Sequence, residues 1–576
     1  LPGLDRKRVH TEAVPLMIQR LEETRDLDLA VGCLLALGKI GEAPRDLARA
    51  EGLASVEAAV SARLTDANER VRDASILALG LVGGPRASTT LAEIAAGLPE
   101  GRKALGGGRI DSRSRAFGAY ALGLIGHHSR RPSERTFVVG QLLDLAFAEA
   151  RDTELATAAI VSLGWAPLPF EARLEASGSD DVLPQLRGQE ATVRRLLQLY
   201  FSDETDLRAR AQAPAAIARL VLTDPGSATR TPQEVLTIAT QREELRREVL
   251  RLFTDRLRAR GGERNASIRE GLAQALGLLT VPSADGVDRD AIEQLIATAQ
   301  KGQEREAGLA LLSLARVATR AGADTETERA TVSRGIADEL GRTVREGSAS
   351  ARPWATLGLG IYEHGIRLRG GTTPAKYRSE LARRFDKAVS PEESGAAAIA
   401  LGLAADPSLT DKLTRGLVTG AFNVRGQFAL SLALTGVTEA IGTLQSVAAN
   451  TLLAPSLLRD ASIALALLRD DSLVELLVSR LAQARLMGER IAALKALAWS
   501  SDPTALSALL YVLREPRIGK RRIDDTSRAF AAAALGAIAS RRSLPWNAHL
   551  ALDITWSAAP PTRPGVRDGG GVRDRF

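Results

Sequence analysis

The chain has 576 residues, 76 Lys and Arg against 69 Asp and Glu for a net charge of +7, and only 4% aromatics. Its one cysteine, Cys33, excludes intramolecular disulfides and thiolate-rich metal sites, and no run of about eighteen apolar residues marks a membrane-spanning helix. An interior supplied mainly by Ala and Leu suits closely packed helices better than a sheet, and so small an excess of positive charge, spread along the chain, is a weak signal for nucleic acid.

Residues 1–24 begin Leu1-Pro2-Gly3 without an initiator Met. They are expected to be a cap or the edge of a fragment, with a lean toward an exported product. From residue 25 to 540 one phrase recurs. Val71-Arg72-Asp73-Ala74-Ser75-Ile76-Leu77-Ala78-Leu79-Gly80 is a full copy. Anchored on the residue that closes the phrase, the copies end at Gly38, Gly80, Gly123, Gly164, Gly277, Ser313, Gly360, Gly402, Ala433, Leu467, Ala498 and Gly536. Most steps are 31 to 47 residues, the spacing of two-helix repeats. The wide step from Gly164 to Gly277 is expected to hide degenerate units such as Leu207–Leu222 and Glu243–Leu257. Turns such as Gly83-Gly84-Pro85 and Ala405-Asp406-Pro407 follow the anchors, with Pro placed to open the next helix. The expected architecture is an all-α, right-handed solenoid of about 12–15 two-helix units, because each unit buries its core only against its neighbours.

Arg stands eight residues before the anchor in nine of the twelve copies, among them Arg72, Arg115, Arg269, Arg425, Arg459 and Arg528. A cation near a helix N-terminus opposes the macrodipole, so something must hold it there. The phrase, with Leu64-Thr65-Asp66 ahead of Val71-Arg72, resembles the HEAT-repeat superfamily, especially its short PBS-lyase-like form. The resemblance implies that these Arg residues form a structural ladder, pairing with an acidic or carbonyl group in the turn of their own or the next unit; Asp66 could serve Arg72.

One departure from that pattern is chemical. The residues four and three before the anchor, polar and outward in the resembled repeat, are here mostly apolar, so the helix is greasy almost all round. Three arrangements would account for it: a superhelix so tight that inner helices touch, inserts lining the concave side, or an open apolar groove for a partner. On the groove reading the partner-binding residues are Leu35, Ile76, Leu77, Tyr120, Val161, Leu357, Ile399 and Leu430.

Inserts are expected near 97–112, with Leu105-Gly106-Gly107-Gly108-Arg109 as a flexible loop, near 165–190 and near 365–375. Arg517 to Arg522 adds a basic loop whose Lys520, Arg521 and Arg522 form a possible basic patch. Residues 541–557 are expected to cap the last repeat and 558–576, rich in Pro, Gly and Arg, to form a disordered tail.

Chemistry is poorly represented. His127 and His128 are adjacent in a turn and point about 100° apart on a helix, which is not a metal-pair spacing. No His-Glu dipeptide occurs, which sets the chain apart from the iron-dependent HEAT-repeat hydroxylases, and no P-loop, nucleophile elbow or zincin motif is present. No metal or cofactor is expected. The expected function is a noncatalytic scaffold or adaptor for a protein partner. A nucleic-acid binder using an Arg-rich surface and a lyase-like helper acting on a tetrapyrrole-bearing protein are the alternatives.

Overall fold

The computed structural model describes residues 5–171, 188–226, 230–258, 261–321, 325–450, 455–500, 502–540 and 544–545. The repeated phrase is helical in every copy. The helices that carry the phrase or a degenerate copy of it, called inner below, are α1 (Leu27–Ile40), α2 (Glu69–Val82), α3 (Ser112–His128), α4 (Thr153–Leu163), α5 (Leu207–Leu222), α6 (Ala266–Leu279), α7 (Glu304–Ala318), α8 (Ala351–Leu368), α9 (Pro391–Ala404), α10 (Arg425–Thr435), α11 (Pro455–Leu467), α12 (Met487–Leu497) and α13 (Asp525–Ala539). A second, outer helix precedes each, for example Pro85–Ala96 before α3 and Thr504–Arg514 before α13. The described residues form an all-α solenoid of helix pairs. Side-chain caps start many of the inner helices: Asp26, Asp111, Asp152, Asp206, Asn265, Ser390 and Asp524 each accept a backbone N–H of the first turn, satisfying donors that have no partner within the helix.

The described residues divide into two compact units, one drawn from Leu1–Val82 and Leu359–Phe576, the other from Gly83–Gly358. Within each, the anchors explain themselves by contact. A Cβ at Gly38 would lie 2.8 Å from Ala78 Cα, at Gly164 2.8 Å from Ala216 Cα, at Gly360 2.6 Å from Ala400 Cα, and at Gly402 2.8 Å from Ser431 Cα. In each case the anchor meets the residue two places before the next anchor, so neighbouring inner helices approach through glycine in one repeated register.

That register corrects two sequence expectations. Gly277 meets Ser313, which places Ser313 two before the anchor and gives Ala315 the anchor position. Ser313 Oγ donates to Ala273 O at 2.9 Å, as Ser431 Oγ, also two before its anchor, donates to Ala398 O at 2.6 Å. Arg305 therefore falls outside the Arg column and pairs with Glu270 in an exposed position instead. In the wide step, Gly164 meets Ala216, so α5 is an inner helix with Ala218 as its anchor and Arg210 eight before it. Glu243–Leu257, expected as another unit, is the second half of one long outer helix, Pro232–Leu257.

In the unit drawn from both ends of the chain, α9 to α13 pack in sequence, α13 packs on α1, and α1 packs on α2. The last copy meets the first as a neighbour: a Cβ at Gly536 would lie 2.6 Å from Ala36 Cα, two before the anchor Gly38, and one at Gly32 would lie 2.6 Å from Ala529 O. The equivalent pair on the consecutive helices α6 and α5 is Gly271 against Ala211 O. Outer-layer bonds reinforce this seam. Arg20 donates to Leu513 O at 3.2 Å and to Arg514 O at 2.8 Å, and Arg8 to Ser507 Oγ at 2.7 Å.

The inserts differ from expectation. Residues 97–112 hold a helix, Pro99–Ala104, whose Gly101 lies against the backbone of Glu93 and Ile94; only the Gly106-Gly107-Gly108 turn stands clear. At 365–375, α8 continues to Leu368 and the next helix starts at Ala375, leaving a short connection. The basic loop is a β-hairpin, β1 (Arg517–Ile518) and β2 (Arg521–Arg522), although the sequence carried no strand signal. Most of 165–190 and nearly all of the expected cap and tail lie outside the described residues.

Candidate functional site

The Arg column turns inward. Arg72 Nη1 donates to Asp66 O at 2.8 Å and Ala67 O at 3.1 Å, using the turn carbonyls, while the Asp66 carboxylate pairs with Arg63. Arg115 Nε donates to Ala95 O at 2.9 Å and its Nη2 to Glu149 at 2.7 Å. Arg269 donates to Glu263 O at 3.1 Å and to Glu306 of the following inner helix at 2.7 Å. Arg425 donates to Leu417 O at 2.5 Å, and Arg528 to Glu515 O at 3.2 Å and to Asp525 at 2.7 Å. Each guanidinium covers carbonyls left open at the end of the preceding outer helix or its turn. Arg459 departs from this: it pairs with the adjacent Asp460 and is 45% exposed.

The greasy positions on the inner helices do not form an open surface. Leu35, Ile76, Leu77, Leu357, Ile399 and Leu430 are buried, and Tyr120 and Val161 are half-buried. Tyr120 stacks against Trp165 with ring centroids 5.9 Å apart. Side chains that the chain itself covers cannot receive a partner in this state, so the open apolar groove expected at these residues is corrected. Within each unit, inner helices pack against inner neighbours and are backed by outer helices, and that packing uses nearly all of their faces.

The histidines also differ from expectation. His127 and His128 end α3 rather than occupying a free turn, and His127 Nδ1 lies 3.2 Å from Trp165 O. Cys33 is fully buried, which pushes its thiol up to about 12, so it remains protonated and unreactive at neutral pH. Burial likewise holds the Glu363 carboxyl above the usual range, although Thr373 Oγ1 donates to it at 2.6 Å. Among the described residues, no group of three or more His, Cys, Asp or Glu is placed to share a metal ion, and no helix is long and apolar enough to cross a membrane.

Large apolar side chains remain accessible both on helices and at turns. In the unit drawn from both chain ends, the turns that lead into α9, α10 and α12 expose Val389 (82%), Phe422 (58%), Leu486 (48%) and Met487 (46%). Each lies at or just before the start of an inner helix, so they fall on the edge of the stack where inner helices begin. The segment leading into α13 is the β-hairpin, pinned by the buried Ile518 and Ile523 and by the bond from Ile523 N to Pro516 O at 2.9 Å. In the other unit, a groove of about 400 Å³ between the outer helices Gly188–Phe201 and Pro232–Leu257 is lined by Leu197, Phe201, Val249 and Leu252. The Arg194–Glu248 ion pair spans it. Sequence reasoning missed the edge residues because they stand singly or as one pair between the periodic segments; the signal was their recurrence where an inner helix begins.

No family model matches the chain, and no curated protein matches it. Among solved structures it is similar to Kap121p bound to Pho4p, at 12% identity, covering 84% of this chain and 53% of that one, with a TM-score of 0.38. It is also similar to an engineered protein (16% identity, 91% and 98% covered, TM-score 0.24) and to human deoxyhypusine hydroxylase in complex with glycerol (16% identity, 54% and 96% covered, TM-score 0.22). The chain thus spans about half the length of Kap121p. Overlaps this shallow leave function to the geometry.

Proposed function

We propose that this chain is a noncatalytic repeat scaffold that binds a protein partner along the edge of the stack where inner helices begin. The observation that carries the reading is the recurrence of Val389, Phe422, Leu486 and Met487 at the starts of α9, α10 and α12 along that edge, all substantially exposed. Apolar side chains held on a stiff repeated frame meet a partner with little loss of conformational entropy, and turns are where a repeat array varies without disturbing its core. The buried inner positions supply the frame. The Leu64-Thr65-Asp66 phrase ahead of Val71-Arg72 further supports the short PBS-lyase-like form of the repeat.

The test is affinity capture from the source lysate by the full chain and by the Val389→Asp/Phe422→Asp double variant, each checked for native helicity and melting. The double variant is expected to lose the proteins captured by wild type. If a folded double variant retains them, the edge is not the binding surface.

A further inference from the structure

Several basic side chains near the end of the array are occupied. Arg490 pairs with Asp524 at 2.7 Å and Arg528 with Asp525 at 2.7 Å, and the Glu489 carboxylate accepts the backbone amides of Arg485 and Leu486. The hairpin gathers four that are not. Among the described residues, Arg517, Lys520, Arg521 and Arg522 form no ion pair and no side-chain hydrogen bond, and Arg517, Lys520 and Arg522 are exposed. Arg517 faces Arg522 directly across the two strands, a like-charge pairing that costs stability. Among the described residues, the Glu515 carboxylate forms no ion pair with them. The hairpin is also fixed in place, since Ile518 and Ile523 are buried, and its tip is near Ala482: a Cβ added at Gly519 would lie 3.8 Å from Ala482 Cβ, three residues before Arg485 and four and five before the exposed Leu486 and Met487.

A rigid cluster of unneutralised cations beside exposed aliphatic side chains selects for a ligand that is both acidic and apolar. Building on the protein-scaffold reading, we infer that the hairpin and the Arg485–Met487 turn form a docking site for an acidic segment of a partner protein carrying aliphatic or aromatic anchors. Carboxylates of that segment lie over Arg517, Lys520 and Arg522 and relieve their mutual repulsion, while its anchors cover Leu486 and Met487. Methionine suits such a surface because it adapts to different side chains. A nucleic-acid strand fits less well: base stacking requires an aromatic platform, the hairpin has none, and phosphate gains nothing from Leu486 or Met487.

The test uses the full chain and fluorescence anisotropy with three labelled probes. The first is a short peptide of Glu and Asp interrupted by Leu and Phe, the second the same peptide with Ser in place of Leu and Phe, and the third a thymidine oligonucleotide of similar length. The first is expected to bind best, with an affinity that falls as salt rises. The triple variant Arg517→Glu/Lys520→Glu/Arg522→Glu is expected to lose at least about tenfold in affinity for it, as do charge changes within one interface. Arg522→Gln provides the control for folding: it should weaken peptide binding while leaving the melting temperature unchanged or higher, because it removes a like-charge contact. Equal binding by wild type and triple variant, no binding of the first peptide, or tighter binding of the oligonucleotide would each overturn the inference. The lysate capture by Val389→Asp/Phe422→Asp reports separately on the edge, so the two readings can fail independently.

Discussion

Arg269 and Arg459 share a column, yet their surroundings give them different weights. Arg269 is 15% exposed and its partner Glu306 only 3%, so removing the guanidinium strands a buried carboxylate. Arg269→Ala is expected to cost about 3 kcal/mol, whereas Arg459→Ala, which removes a guanidinium that is 45% exposed although its partner Asp460 is buried, should cost less. Urea titration of both variants measures the difference; equal losses would mean that column position, not burial, sets the contribution. The same distinction marks what was legible at this scale. The Arg column could be read because its spacing repeats. Its partners could not, because Glu306 and Glu149 lie one unit further along and the Asp66 carboxylate is taken by Arg63, leaving Arg72 the carbonyl.

At the scale of the helix, the phrase announces itself through caps, small residues and period, and the structure follows it closely. Two readings needed tertiary contact. Ser313 resembles an anchor only until Gly277 is seen to meet it, which shifts the register by two residues to Ala315. The apolar positions before the anchor suggested a groove because hydrophobicity along a helix counts faces but does not say what covers them. The hairpin went unseen since two residues per strand leave no alternation to detect. The glycines give a direct test of contact against propensity. Gly402→Val must push into Ser431, whose Cα would lie 2.8 Å from the added Cβ, and should destabilise by about 2 kcal/mol or more. Gly442, inside the helix Ile441–Asn450, has nothing within 4 Å of an added Cβ. Gly442→Ala is therefore expected to stabilise by about 0.5–1 kcal/mol. Thermal melts of the two variants should move in opposite directions, and a shared direction would contradict the contact account.

At the scale of the molecule, a repeat array is usually a line of neighbours in which each copy feels only those beside it. Here the unit drawn from both chain ends makes the last copy and the first into neighbours, in the register used by consecutive copies. No sequence signal announced this, since the same phrase is written whether or not its ends meet. The seam also places the hairpin, which leads into α13, beside the outer helix Thr504–Arg514, whose last carbonyls Arg20 holds. The most direct test is hydrogen–deuterium exchange on the Gly536→Val variant, where the added side chain must collide with Ala36. Amides of α1, some 500 residues away in sequence, are expected to lose protection together with those of α13, while α4 in the other unit keeps its own. Loss confined to residues 504–539, with α1 as protected as in wild type, would contradict the seam and with it the continuous stack on which the proposed binding edge is built.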